Sequence, residues 1–310
     1  MQASVPGKRG QKAKAGEPTA RPGRVTQRAD RARKILIAED DRATRHLIRS
    51  VLKGAGFSVS AVADGHRALE QLHRHPFDVL LLDVWLPRLN GLDLLARLRS
   101  DATVRGHPKV LVMTSDETPE VMLQAVREQA YDYLSKPVEA DQLIQLVHRT
   151  LAAPTAYPIE VVSAQPHWVE LLVPCQHEAA ERIQGFLGRL KADLAEDVRD
   201  AVGQVFRELL LNAIEWGGKL DPTRQVRISY IRAERMLLYR IADPGEGFSF
   251  KTLSHAAVAN PPESPAAHME ARKQKGLRSG GFGILMARAL VDELLYNERQ
   301  NEVVFVKYLD

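Results

Sequence analysis

The chain has 310 residues, 45% hydrophobic and 26% charged, the proportions of a globular protein of about two domains. Its single cysteine, Cys175, excludes an internal disulfide framework and any multi-cysteine metal site, and no apolar run approaches the roughly 18 residues of a membrane span. The net charge of +4 joins two unlike parts: residues 1–34 hold ten Lys/Arg against two acids, while the other 276 residues are net acidic by four.

Residues 1–33 are rich in Gly, Pro, Ala and Gln and nearly free of apolar side chains, so little offsets the entropy of ordering them. A basic disordered tail is expected there. Weak contact with nucleic acid or an anionic surface is the second reading, and an organelle transit peptide the third. The stretch lacks the apolar core of a secretory signal, and the lone thiol suits a reducing compartment, so a cytoplasmic location without membrane attachment is expected.

From Arg33 onward short apolar runs alternate with helical patterns. The runs are Ile35–Ala38, Phe57–Val62, Val79–Leu82, Val110–Met113 and Tyr131–Leu134, and the helical patterns cover 42–53, 64–75, 91–100, 118–129 and 140–151. Five strand–helix repeats predict an α/β fold over 34–152: a parallel, doubly wound, flavodoxin-like (βα)5 sheet. The first, third and fourth runs are apolar throughout, as strands covered on both faces are. Pro154, Pro158 and Pro166 mark a linker over 153–167, within which Ile159–Ser163 carries a strand pattern. Residues 168–310 read differently. A strand at Trp168–Val173 precedes helices over 176–191 and 197–216, then strands at Val226–Ala233 and Met236–Ala242. A Pro-, Ala- and Lys-rich loop spans 249–279, followed by a helix over 283–296 and a strand at Val303–Tyr308. This order predicts an α+β two-layer sandwich, with helices on one face of a mixed sheet.

In open parallel sheets ligand chemistry gathers beyond the carboxyl ends of the strands. There the first domain places Glu39-Asp40-Asp41, Asp83, Thr114-Ser115 and Lys136-Pro137. Clustered carboxylates with room for water suit Mg²⁺. A carboxylate beside that cation can attack a phosphoryl group, with the metal and a lysine offsetting the developing charge. These residues, with Leu86-Pro87 through Asn90-Gly91 and Tyr133, make residues 34–152 resemble the receiver domain of bacterial response regulators. The resemblance implies that Asp83 accepts a phosphoryl group from a cognate histidine kinase or phosphotransfer protein. It implies that Glu39, Asp40 and Asp83 hold Mg²⁺, that Lys136 pairs with the phosphoryl group, that Thr114 and Tyr133 move together as a switch, and that the Lys136–Pro137 bond is cis. Leu86 stands where that family frequently has methionine, and Ser115 where it frequently has alanine.

In the second half, Glu208, Asn212 and Glu215 are spaced to share one helix face. Strand Met236–Ala242 runs into Asp243-Pro-Gly245-Glu-Gly247, where a buried carboxylate can accept from an adenine amino group and glycines let the backbone approach a flat base. Gly280, Gly281 and Gly283 open a helix whose free N–H groups suit phosphate. Three such boxes in this order make residues 168–310 resemble the GHKL ATPase superfamily, and Ala287–Leu294 most resembles its anti-sigma-factor serine kinases. The resemblance implies ATP bound beneath a lid over 249–279: Asn212 on Mg²⁺, Asp243 on adenine, the glycines Gly245, Gly247, Gly280, Gly281 and Gly283 about the nucleotide, and Glu208 as general base. Arg272, Lys273, Lys275 and Arg278 are candidate phosphate contacts or a solvated basic loop. Trp216 occupies a place where histidine is frequent.

His148, His167 and His177 do not lie on a dimerisation hairpin, so histidine autophosphorylation is not expected, and no helix-turn-helix follows the first domain. Together the two resemblances imply a response regulator whose output domain is a serine/threonine kinase acting on an anti-sigma-factor antagonist and able to hold a sigma factor. The alternatives are an ATP-dependent module that sequesters its partner without phosphoryl transfer, and a stand-alone ATPase. Homodimerisation stays open, because both families often dimerise.

Overall fold

The computed structural model describes residues 32–309 apart from 116–117, 154–157, 192, 250–256, 258–259, 261–262, 265 and 275–280. The expected tail therefore lies, up to residue 31, outside the described residues. Strands β1 (Lys34–Ala38), β2 (Ser58–Val62), β3 (Val79–Asp83), β4 (Lys109–Thr114) and β5 (Asp132–Ser135) form a parallel sheet in the order β2-β1-β3-β4-β5. All of β3 and the last four residues of β1 are buried, which is why their sequences are continuously apolar. Helices α1 (Arg42–Gly54), α2 (Gly65–Arg74), α3 (Gly91–Ser100), α4 (Pro119–Arg127) and α5 (Ala140–Ala152) connect them. Three of these helices start on a polar cap. Asp41 accepts from the Thr44 N–H at 2.7 Å, Asp64 from that of Arg67 at 3.0 Å, and Asn90 from that of Leu92 at 2.8 Å. The strand order reverses between β1 and β3, so the crevice that receives ligands in such sheets opens between Glu39-Asp40 and Asp83.

The second sheet contains β6 (Glu160–Gln165), β7 (Trp168–Pro174), β8 (Gln225–Ala233), β9 (Met236–Ala242), β10 (Glu293–Tyr296) and β11 (Glu302–Tyr308), in the order β10-β11-β9-β8-β7-β6. Helices α6 (His177–Arg189) and α7 (Glu196–Asn212) follow β7, a π-helical turn Ala213–Gly217 continues α7, and α8 (Ala267–Gln274) and α9 (Gly283–Leu290) precede β10. Along β9, Leu237, Tyr239 and Ile241 point into the core and the residues between them do not, the period of a sheet covered on one face. Tyr239 stacks on Phe305 with centroids 4.8 Å apart and meets Phe206 of α7 at 5.2 Å, joining sheet and helix layers.

Three expectations change. Every strand pair of the second sheet is antiparallel, so the sheet is not mixed. The helix expected over 283–296 ends at Leu290, and Leu294 and Leu295 belong to β10. Asp292 commits the chain to the sheet: its N–H donates to the Val306 carbonyl at 3.0 Å, and its carboxylate accepts from the Tyr308 N–H at 2.6 Å. A short apolar run fits helix and strand alike until such a pairing is known. Finally, the stretch expected as a loop over 249–279 contains α8 (Ala267–Gln274), while the strand pattern at Ile159–Ser163 forms β6, the edge strand of the second sheet.

One buried cation was not singled out from the sequence. Lys191 is 1% exposed, and its Nζ lies 5.7 Å from the Tyr239 ring centroid. Burial, helped by the Arg199 charge, pulls its ammonium from 10.5 down to about 8. Below about pH 8 both folded and unfolded chains carry the proton, and the folded state bears the cost of the buried charge. Between about 8 and 10.5 the folded state releases it first, so this group makes stability rise with pH. Lys191→Met is expected to raise Tm at pH 7 through a gain of up to roughly 3 kcal/mol. The difference from wild type should close as the pH climbs from 8 to 10.5; a difference that stays constant across that range would refute the buried charge.

Candidate functional site

Two sites emerge, one per sheet. At the crevice of the parallel sheet, Glu39, Asp40 and Asp83 bring one carboxylate oxygen each to within 4.8 Å of one another. Lys136 Nζ lies 2.8 Å from Glu39 Oε2 and 2.8 Å from Asp83 Oδ2. The remaining oxygens are held by backbone: Glu39 Oε1 accepts from the Asp41 N–H at 3.2 Å and Asp83 Oδ1 from the Trp85 N–H at 3.3 Å. Burial pushes the Glu39 carboxyl up, Lys136 pulls it back, and the Asp83 charge adds to the rise. Burial alone would lower Lys136, but its contacts with Asp83 and Glu39 outweigh that and raise it. Three hard oxygen donors, one of them on an exposed residue, fit a Mg²⁺ ion that keeps several waters. Gly91 is required here, because a Cβ on it would stand 2.0 Å from the Asp83 carbonyl oxygen. Thr114 ends β4 and is 2% exposed, and the Lys136–Pro137 peptide is cis. Asp41, part of the same acidic run, serves as the cap of α1.

In the second domain a cavity of about 710 Å³ opens between α7, the end of β9 and the start of α9. Its size lies within the range of small-molecule and cofactor pockets. Glu208, Asn212 and Glu215 all line it, as their spacing predicts, and so do Asp243, Gly245, Gly247, Gly281 and Gly283. Gly280, Lys275 and Arg278 lie outside the described residues; Arg272 falls within α8, and Lys273 is exposed on the same helix. A Cβ on Gly283 would come 2.8 Å from Glu208 Oε2 and 3.7 Å from Asn212 Nδ2, so the start of α9 lies directly against both functional groups. A Cβ on Gly217 would stand 2.2 Å from Asp243 Cγ. Burial pushes the Asp243 carboxyl up, while the Gly245 N–H, donating to Oδ1 at 2.7 Å, and the Arg224 charge pull it down. This backbone cradle beside one half-buried carboxylate fits a flat base with an amino group.

Sequence reasoning missed several parts of this cavity. The π-helical turn directly after Asn212 places Trp216, 46% exposed, on the cavity wall; π turns of this kind recur at functional sites. The β10–β11 turn buttresses the Asp243 loop, with the Asp243 N–H on the Asn301 carbonyl at 2.9 Å, the Asn301 amide on the Gly245 carbonyl at 3.1 Å, and the Phe248 N–H on the Arg299 carbonyl at 3.2 Å. Those residues are some 55 positions from the loop they support, and no local pattern marks them. On α8, His268 is buried, its Nδ1 2.7 Å from the Asn260 amide nitrogen, and its ring meets Phe282 edge-on at 4.5 Å. Of the histidines considered as phosphoacceptors, His148 packs on Phe57 at 5.2 Å and His177 lies 4.0 Å from Glu215.

Comparison with known proteins matches both domains. A family model described as response regulator receiver domain matches residues 35–148, and one described as histidine kinase-like ATPase domain matches residues 173–307. The DNA-binding response regulator MtrA of Mycobacterium tuberculosis (strain ATCC 25618 / H37Rv) is 32% identical over 185 residues, covering 59% of this chain and 78% of the relative. The two-component response regulator ORR11 of Oryza sativa subsp. japonica is 31% identical over 118 residues, covering 38% of this chain and 80% of its own length. Among solved structures, a putative response regulator from Chloroflexus aurantiacus J-10-fl is 31% identical and covers 40% of this chain and 100% of its own, with a TM-score of 0.38. Among the described residues no helix is long and apolar enough to cross a membrane.

Proposed function

We propose, from the premise that the chain belongs to the response regulators and carries a histidine kinase-like ATPase domain behind its receiver domain, that it is a phosphorylation-controlled serine/threonine kinase of an anti-sigma partner-switching pathway. A cognate histidine kinase or phosphotransfer protein loads Asp83. Glu39, Asp40 and Asp83 would hold Mg²⁺, which supplies charge neutralisation for the incoming phosphoryl group, and Lys136 stands ready to pair with that group's oxygens. Thr114 and Tyr133 respond as the switch. In the output domain Asp243 receives the adenine amino group, Asn212 would hold the Mg²⁺ of ATP, and Gly281 and Gly283, which line the cavity, would meet its phosphates. Glu208 takes the proton from a serine or threonine hydroxyl of the protein substrate, an anti-sigma-factor antagonist, in the cytoplasm. The domain limits of this reading are 34–152 for the receiver domain and 168–310 for the kinase, with the basic tail before them.

The observation that carries this reading is the convergence of Glu208 and Asn212 on Gly283 inside the cavity floored by Asp243. A carboxylate beside the place where phosphates meet a helix start is where a general base for phosphoryl transfer belongs. Glu208→Ala is expected to lower transfer of label from γ-labelled ATP to the antagonist by about 10²–10⁴-fold while ATP binding persists. Undiminished transfer would remove Glu208 from the chemistry. Wild-type protein that captures its partner with ATP yet transfers nothing would identify an ATP-dependent binding module instead.

A further inference from the structure

Helix α6 presents Arg182 and Arg189, two helical turns apart; Arg182 meets the residues just before β5 of the receiver domain and Arg189 meets β5 itself. Arg182 donates from Nε to the Tyr131 carbonyl at 2.6 Å and from Nη2 to the Ala130 carbonyl at 3.2 Å, and its guanidinium lies 4.7 Å from the Tyr131 ring centroid. Arg189 places its guanidinium 3.8 Å from the centroid of Tyr133, which is 6% exposed. A second seam fixes α4 to β6: the Gln129 amide donates to the Ile159 carbonyl at 2.8 Å, and Arg127 donates to the Ala164 carbonyl.

The two arginines hold different things. Arg182 grips the main-chain oxygens of Ala130 and Tyr131 just before β5, a segment held to β4 by the Tyr131 N–H on the Val110 carbonyl. Arg189 rests on a side-chain ring, and a ring can turn without any change in strand pairing. Tyr133 lies three residues before Lys136, on the strand whose end delivers that lysine to Asp83 and Glu39 at 2.8 Å. A phosphoryl group on Asp83 adds oxygens that compete for Lys136, so the end of β5 feels the modification directly. On its other side α6 is not free to absorb a shift. Ile183, Phe186 and Leu187 are buried in the same core as Leu209 and Leu210 of α7, the helix that carries Glu208 and Asn212. Closely packed interiors pass displacements on rather than damp them.

We propose that Arg189 is the coupling residue between receiver and nucleotide cavity. Its contact with Tyr133 holds α6, and through it α7, in one position while Asp83 is bare. Loading Asp83 weakens that contact, and α6 tilts about the fixed pivot at Arg182. The inference rests on Asp83 as phosphoryl acceptor and on ATP as the ligand of the cavity. Because coupling between two binding sites is reciprocal, ATP must change the receiver's affinity for a phosphoryl mimic by the same factor.

The test is a calorimetric titration of the full chain with Mg·ATP, with and without beryllofluoride, and of beryllofluoride with and without Mg·ATP. Wild type is expected to shift each affinity by at least about fivefold, equally in both directions. Arg189→Ala should bind each ligand alone and lose the shift. Arg189→Lys should keep part of it, because an ammonium also sits favourably on a ring face, and Tyr133→Phe should keep it. Arg182→Ala should speed hydrogen exchange in α6 and β5 in both states. If Arg189→Ala loses ligand binding through misfolding, Tyr133→Leu removes the same contact from the other side. An undiminished shift in either variant overturns the proposal, and so does a wild type that binds both ligands without any shift. A wild type that fails to bind beryllofluoride or ATP overturns the proposed function itself, and the coupling falls with it.

Discussion

Asp83→Asn is expected to reduce labelling of the receiver domain by a phosphoryl donor, either the cognate kinase or acetyl phosphate, to background while ATP binding by the second domain persists. The site offers three carboxylates, and the lysine contact narrows them to two. Among the described ion pairs Lys136 joins Glu39 and Asp83, so only these two have a cation placed to accept the new charge. Glu39 and Asp83 are both buried and each has one oxygen on a backbone N–H, so it is the resemblance to receiver domains, with the acceptor at the end of the third strand, that selects Asp83. Asp40 is exposed and joins the carboxylate cluster but not the lysine contact. The carboxamide keeps the volume of Asp83 and can still accept from the Trp85 N–H, so the loss reports chemistry rather than packing. Asn cannot form the mixed anhydride. Retained labelling in Asp83→Asn would move the acceptor to Asp40 or Glu39 and undo the assignment; mapping the labelled peptide would decide which.

The second large effect concerns the cavity. Asp243→Ala is expected to weaken ATP binding by about 10–150-fold, which corresponds to the loss of a hydrogen bond to a charged group worth about 1.5–3 kcal/mol. Asp243 Oδ1 is committed to the Gly245 N–H at 2.7 Å, which fixes the carboxylate and leaves its other oxygen for a ligand. Equilibrium titration with ATP and GTP checks this, with unfolding by heat as the control for the loop. ATP binding within threefold of wild type would place the base elsewhere, with the wall near Trp216 and Arg224 as the next region to probe.

Much of this was legible before any coordinates. The acid cluster could be found because each member ends a strand, and strand ends in a parallel sheet share one edge. Asp83 ends β3, whose five buried residues announce themselves as an unbroken apolar run. Glu208 and Asn212 could be paired because helical spacing puts them on one face. What stayed hidden depends on contacts between distant segments. Asn301 supports Gly245 across the turn between two strands, and no local rule connects them. The π-helical turn at Ala213–Gly217 leaves the apolar pattern of α7 nearly unchanged, so a single helix through residue 216 was the simpler reading. Val291–Leu295 was ambiguous for the opposite reason: its apolar residues satisfy two periods, and only the partner strand β11 selects one. Lys191 was passed over because a lysine in sequence reads as surface, and the tertiary fold alone encloses it.

Strand β6 is a vulnerable edge of the ATPase domain. It ends the six-stranded sheet, and an outermost strand offers unsatisfied main-chain groups to any chain that drifts past. Here the carbonyls of Ile159 and Ala164 accept from Gln129 and Arg127, and α4 lies along the strand. The receiver domain is thus a built-in shield against strand addition between molecules. Cutting the chain to liberate the nucleotide-binding half removes those contacts and leaves the edge bare.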